Sequence, residues 1–308
     1  MQQTMTARHW SIVLLTGALF GSSFLFIHVA VAEIPPLTMA AGRAALAMPV
    51  ALVFLLASGR RLPPLGAAWI PLIMLGLLTA AIPYAAIAWG QRYIASGLAG
   101  ILFGTIPVFA VLAGSVLLAG EERLSLARLT GALVGLAGVV LVIGPKALAG
   151  IESQMLGAGV TLGAAFSYTL GTIYARTRKE LDPVVMTAGQ LLVGAVVLTL
   201  AALVTDAPWQ LAPSAAAIGA VAATAVLGTA LPSLLLFWLV RNAGASNASL
   251  ATFFIPVMAV ALGAVMLGES LPWTAFAGLG LILLGAAGVG GKLKRGVKVP
   301  AASSPTRG

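Results

Sequence analysis

Cysteine is absent from the 308 residues, which removes disulfides, thiol nucleophiles and thiolate metal sites together. Histidine is nearly absent as well, with two residues, His9 and His28. Charge is scarce: only 8% of the chain is Asp, Glu, Lys or Arg, whereas a soluble globule carries roughly 25% because its surface must face water. The eight acidic residues are Glu33, Glu121, Glu122, Glu152, Glu180, Asp182, Asp206 and Glu269, and all fall outside the long apolar runs. A hydrolase needs a base beside its nucleophile, and a metal centre needs clustered ligands. Neither can be assembled at membrane depth from this set, so no catalytic residue, metal or cofactor is expected. The same lack disfavours a carboxylate proton relay and leaves facilitated diffusion or exchange as open as proton coupling.

What remains is apolar. Hydrophobic residues make up 60% of the chain, in ten stretches of about 20 residues, the length that crosses a hydrocarbon core of about 30 Å. They lie near 10–31, 37–58, 68–90, 95–118, 126–144, 156–175, 184–205, 214–240, 247–267 and 273–290. The short alternating segments of an outer-membrane barrel are missing. The expected fold class is therefore an all-α polytopic membrane protein with ten transmembrane helices.

The net charge of +9 invites a nucleic-acid reading, but its distribution follows the spans instead. Ten spans put Arg8, Arg60, Arg61, Arg123, Arg128, Arg176, Arg178, Lys179 and Arg241 on one side. The five basic residues of the end (Lys292, Lys294, Arg295, Lys298 and Arg307) join them there. Arg43, Arg92 and Lys146 remain on the other. By the positive-inside rule both termini are cytoplasmic, and the basic end is a disordered tail near anionic lipid. Arg8, the apolar run 11–27 and Ala30-Val31-Ala32 also resemble a cleavable leader, but this segment has a partner later in the chain.

The chain repeats itself. Gly17-Ala18-Leu19-Phe20 returns as Gly163-Ala164-Ala165-Phe166, and Pro36-Leu37-Thr38-Met39-Ala40-Ala41-Gly42-Arg43 returns as Pro183-Val184-Val185-Met186-Thr187-Ala188-Gly189-Gln190. Pro83, Trp89, Arg92 and Pro107 are matched by Pro232, Trp238, Arg241 and Pro256, and Glu122, Leu124 and Gly131 by Glu269, Leu271 and Gly278. Five spans per copy turn the second copy upside down, a transporter signature in which two similar bundles rock about a midplane site. The expected organisation is an N-terminus at 1–9, repeats at 10–144 and 156–290, a linker at 145–155 and the basic tail at 291–308.

The GALF- and GAAF-like first helices, the P-x-x-M-x-A-G second helices and the Glu-x-Leu turns before a Gly-rich last helix resemble the drug/metabolite transporter superfamily. The likeness is to its ten-helix EamA-type exporters in particular, and it covers residues 10–290. It implies export of small metabolites across the bacterial inner membrane, with amino acids among the substrates and aromatic ones in some members. Substrate choice does not follow from these motifs.

Site candidates come from polar and aromatic side chains inside the spans. Arg43 lies about 10 Å of helix rise in from Pro36, where a charge costs roughly 3 kcal/mol unless solvated or paired. It is either an anchor for a substrate carboxylate or a side chain that snorkels outward or pairs with Glu33. Phe20, Phe24 and His28 form a stripe at four-residue spacing. Tyr84 and Tyr168 carry hydroxyls that want partners inside lipid, and Phe103 and Thr105 are answered by Thr252 and Phe254. The substrate-binding candidates are Phe24, His28, Arg43, Tyr84, Phe103, Tyr168, Thr252 and Phe254, suited to a partly apolar zwitterion. Pro107 and Pro256 each remove a backbone hydrogen bond mid-helix and are candidate hinges. The six tryptophans fall near span ends, where headgroup anchoring explains them. Glu122 and Glu269 are read as tethers for the last helix of each repeat. Small-residue pairs such as Gly17/Gly21, Gly131/Gly135 and Gly159/Gly163 permit close helix approach. The expected partners are a small-molecule substrate and the lipid bilayer, without nucleic acid, for a monomer or homodimer. Drug efflux, phosphorylated-metabolite exchange and a non-transporting scaffold are the alternatives to export of neutral or aromatic amino acids.

Overall fold

The computed structural model describes residues 5–117, 126–148 and 152–291. The expectations for Glu121 and Glu122 and for the tail from 292 lie outside the described residues, as do parts of those for the N-terminus and the linker. Among the described residues there is no strand. Seven helices are long and apolar enough to cross a membrane: α1 (Ala7–Val31), α2 (Pro36–Ala57), α3 (Ala67–Gly90), α4 (Ser96–Leu117), α6 (Glu152–Thr177), α7 (Pro183–Thr205) and α8 (Ala215–Ala243). The remaining three are α5 (Leu126–Leu148), α9 (Ala251–Leu267) and α10 (Trp273–Gly291), whose apolar stretches are shorter.

Local chemistry sets the helix ends. Thr6 and His9 form a reciprocal capping box at the start of α1, satisfying two backbone donors that the first turn leaves free. Pro36 and Pro183 open α2 and α7, where a missing N–H costs nothing. Within α3 and α8 the backbone widens into five-residue π turns at Leu77–Ala81 and Val226–Ala230, 149 positions apart in the chain. Pro83 and Pro232 follow them at the same separation. A proline ring would strike the carbonyl four residues back in a regular α-helix, and the wider turn moves that carbonyl aside.

The two candidate hinges differ. The helix α4 is broken at Gly104 and Thr105, and its second part, Ile106–Leu117, carries Pro107 in its first turn. Proline is tolerated there because that N–H is unpaired anyway, so the expectation of a lost mid-helix hydrogen bond is corrected for Pro107. Thr105 Oγ1 donates to the Leu102 carbonyl at 2.6 Å and closes the first part. Pro256, in contrast, sits inside the continuous helix α9.

The dominant packings join a helix of the first half to one of the second: α5 with α10, α2 with α7, α1 with α9, α4 with α9 and α3 with α6. Two bundles of five consecutive helices, each packed within itself, are therefore not what forms. α6 packs on both α3 and α4, and α1 on both α8 and α9. The α2 and α7 pair runs antiparallel, tied at one end by Arg60 Nε to Asp182 Oδ2 at 2.6 Å and at the other by Thr38 N–H to Asp206 Oδ2 at 2.9 Å.

Glycines decide how close helices come. A Cβ on Gly138 would meet the Gly278 carbonyl, and one on Gly285 the backbone of Gly131 and Gly135, so α5 and α10 touch backbone to backbone within one chain. Gly17 and Gly21 seat α1 on α9. Gly159 and Gly163 have nothing within 4 Å of a built Cβ, so that pair serves no close contact among the described residues. Outward faces stay apolar, with Val53, Val204 and Val265 at 66%, 85% and 80% exposure, as a hydrocarbon solvent favours.

Candidate functional site

A cavity of about 280 Å³ lies among α1, α2, α3, α4, α6, α7, α8 and α9, leaving α5 and α10 outside its wall. Among the described residues, no acidic side chain lines it. Arg43 does, and its surroundings answer the question its depth raised. It is buried, its Nε donates to Thr229 Oγ1 at 2.9 Å, and its guanidinium lies 3.9 Å from the Tyr84 ring centroid. Glu33 is occupied elsewhere, its carboxylate accepting the Ser214 N–H and hydroxyl at 2.7 Å each. Arg43 therefore neither snorkels nor pairs with Glu33.

The π turns position this chemistry. Thr229, inside the second one, donates its own hydroxyl to the Thr224 carbonyl at 2.9 Å, which leaves its oxygen lone pairs for Arg43. Thr79, inside the first, donates to Leu75 O at 2.6 Å and lies 2.8 Å from Gln190 Oε1. Gln190 is the residue matched to Arg43 in the sequence repeat. Each half thus sends a polar side chain from its second helix to a π-turn threonine of the other half.

Aromatic rings continue the wall. Phe24 and Phe103 have centroids 5.8 Å apart, and Phe103 meets Tyr168 edge-on at 5.6 Å. Of the eight binding candidates, Phe24, Arg43, Tyr84, Phe103, Tyr168 and Thr252 are on the cavity lining. His28 and Phe254 are not. An α-helix turns about 100° per residue, so a four-residue stripe drifts. His28 ends about 80° from Phe20, and Ile27 takes its place beside Phe20, Ser23 and Phe24. The Nδ1 of His28 is buried without a hydrogen-bond partner among the described residues. On α9, Thr252 and Ile255 share the cavity face, while Phe254 points away and packs on Gly17 of α1. Pro107 is on the lining; Pro256 lies behind it, packed against Gly104.

One end of the cavity is shut by α4 on α9, where Gly97, Gly100 and Gly104 pack on Val260, Ala259 and Pro256. Glu269 locks this seam. Its carboxylate accepts the Ser96 and Gly97 N–H groups at 2.6 and 2.9 Å, at the N-terminus of α4, where negative charge is favoured. It thus tethers a helix of the first half and not the last helix of its own. At the other end the rim includes the exposed Thr252.

Sequence reasoning passed over Ser23, Thr79, Thr187, Gln190, Thr229 and Ser233, all on the lining. Their signal was available: each is a polar residue inside an apolar span, and Thr79 and Thr229 stand just ahead of the two matched prolines.

A helical membrane bundle built around a central cavity lined by an arginine and a strip of aromatic rings belongs to the small-molecule transporters in form. Comparison with known proteins gives the family. The EamA-like transporter family model matches residues 9–144 and again 155–291, and the chain belongs to that family. It is 30% identical over 281 residues to the uncharacterized inner membrane transporter YedA of Escherichia coli (strain K12), covering 87% of this chain and 88% of that one. An uncharacterized transporter of Archaeoglobus fulgidus is 25% identical, with 90% and 97% covered. Protein PagO of Salmonella typhimurium is 26% identical, with 84% and 85% covered. A crystal structure that shares 20% identity superposes with a TM-score of 0.65 over 92% of this chain and 98% of its own, which speaks to the fold.

Proposed function

We propose that this protein exports small metabolites across the bacterial inner membrane by alternating access, with neutral and aromatic amino acids as favoured substrates. The seven long and three shorter apolar helices serve as ten spans, in two inverted repeats at 10–144 and 156–290, with both termini cytoplasmic. The observation that carries this reading is the cavity itself, lined from both halves and flanked by matched π turns. Recurrence of the π turn 149 residues on supports the repeat, and the antiparallel α2 and α7 pair supports its inversion. The packing suits α1, α8 and α9 moving against α3, α4 and α6, with α4 on α9 as the gate. In the orientation given by the basic loops, that closed end is the outer one and the conformation faces inward. Phe24, Arg43, Tyr84, Phe103, Tyr168 and Thr252 would contact the substrate, His28 and Phe254 would support them from behind, and Pro107 and Pro256 flank the flexing segment. The role asks for no cofactor and no catalytic residue.

The test is flux of radiolabelled Phe, Trp, Met, Leu, Thr, Glu and Lys into proteoliposomes, with and without a pH gradient. Saturable uptake of the neutral and aromatic members, reduced by Tyr84→Ala or Tyr168→Ala, is expected. Absence of flux for all seven in folded protein removes the amino-acid assignment and puts drug or other-metabolite efflux first.

A further inference from the structure

Resting on the transport reading, the cavity's charge pattern narrows its substrates further. Arg43 is a cation with no carboxylate of a described residue beside it. Among the described acids, Glu33 holds Ser214, Asp182 holds Arg60 and the Val184 N–H, Asp206 holds Thr38, and Glu269 caps Ser96 and Gly97. None lines the cavity. A buried charge left alone is strongly unfavourable, so the site favours a ligand that brings the opposite sign.

The guanidinium is oriented for such a ligand. Thr229 holds its Nε and the Tyr84 ring covers one face. The terminal nitrogens make no hydrogen bond to any described residue, leaving a two-nitrogen fork that matches a carboxylate. Tyr84, Tyr168, Phe103 and Phe24 continue from the fork as an aromatic strip within the same cavity. What the wall lacks is equally specific: an ammonium group entering here finds no carboxylate partner among the described residues.

We infer that the cavity is selective for small aromatic monocarboxylates, held as anions by Arg43, and that an α-amino group contributes nothing to recognition. Acids that lack the amine, with a plain, 2-oxo or 2-hydroxy chain, are substrates at least as good as the matching amino acid. The matching amine without the acid is excluded. Thr229 is a positioning residue, fixing the guanidinium edge so that the fork faces the ligand.

The experiment uses the full-length protein in proteoliposomes with three labelled probes that share one ring: 3-phenylpropionate, phenylalanine and phenethylamine. Uptake into protein-free vesicles is subtracted. Saturable 3-phenylpropionate uptake equal to or faster than that of phenylalanine, driven by an inside-positive potential, with phenethylamine at background, is the expected result. Arg43→Gln should lower kcat/KM for the acid by about tenfold or more, with Arg43→Lys in between. Thr229→Val should raise KM for the acid with little change in kcat. Should Arg43→Gln fail to fold by its melting profile, Arg43→Lys and Thr229→Val carry the test. Phenylalanine or phenethylamine flux with little 3-phenylpropionate flux, or acid flux indifferent to Arg43, overturns the inference and leaves the transport reading standing. No flux of any probe through folded protein overturns both.

Discussion

Substituting Gly285 by alanine adds one methyl group where α10 meets α5 and has no room for it. The new Cβ would lie 2.7 Å from the Gly135 nitrogen and 3.0 Å from the Gly135 Cα, with the Gly131 carbonyl oxygen closer still. Carbon contacts settle at about 3.5–4.0 Å, and all three neighbours are backbone, so no rotamer change can relieve the crowding. The helices must separate by roughly 1 Å, losing dispersion contacts along the seam. Overpacking of this kind costs about 1–3 kcal/mol, and alanine returns about 1 kcal/mol of helix propensity. The expected net loss is about 0–2 kcal/mol, a fall of up to a few degrees in Tm. Gly280→Ala is the control on the same helix, since nothing lies within 4 Å of its Cβ; it should melt at or above the wild-type temperature. Intrinsic tryptophan fluorescence of detergent-purified protein reports both, because the chain has no cysteine for thiol dyes. Equal melting temperatures for Gly285→Ala and Gly280→Ala would refute the close seam.

Two further outcomes follow from the helix ends. Glu269→Gln cannot accept the Ser96 and Gly97 N–H groups on two equivalent charged oxygens; it should cost about 1–2 kcal/mol and speed hydrogen exchange at those two amides. Glu33 is held below the usual carboxylate range by the Ser214 backbone N–H and then its hydroxyl. Because the folded value is the depressed one, this tether contributes fully above the ordinary carboxylate value and is lost as pH falls through the lowered one. The Tm difference between wild type and Glu33→Gln should therefore be present at neutral pH and vanish in acid.

Much of this molecule was legible in its residues. Low charge and apolar runs announce a membrane-spanning helical chain, because a hydrocarbon solvent leaves few other solutions for the backbone. The Gly17/Gly21 and Gly131/Gly135 pairs told truly of close packing, whereas Gly159 and Gly163 carry the same pattern without a close partner among the described residues, since spacing alone does not say which face meets a neighbour. Arg43, Tyr84 and Tyr168 stood out as polar groups at depth. The misreadings have local causes. His28 fell off the wall because a stripe of every fourth residue drifts around a helix of 3.6 residues per turn. Phe254 was matched to Thr105 by the repeat, yet only Thr252 and Ile255 face inward from that stretch of α9. Pro107 was read as a mid-helix defect because the break at Gly104 and Thr105 leaves no mark in composition. The Arg43 to Thr229 and Gln190 to Thr79 pairs join residues 186 and 111 positions apart, and no local pattern encodes contacts of that range.

The π turns give α3 and α8 one place each where chain length has slack. Each holds one residue more than a regular α-helix needs over the same turn. Removing a single residue from Leu77–Ala81 would let α3 close into regular geometry with everything after it still in phase, so Tyr84 and Ile87 would keep their side of the helix. What would go is local: the room made for Pro83 and the place of Thr79 against Gln190. The same holds for Val226–Ala230, with Pro232 and the Thr229 to Arg43 contact. A one-codon deletion in the regular turns on either side has no such slack and would swing everything after it by about 100°.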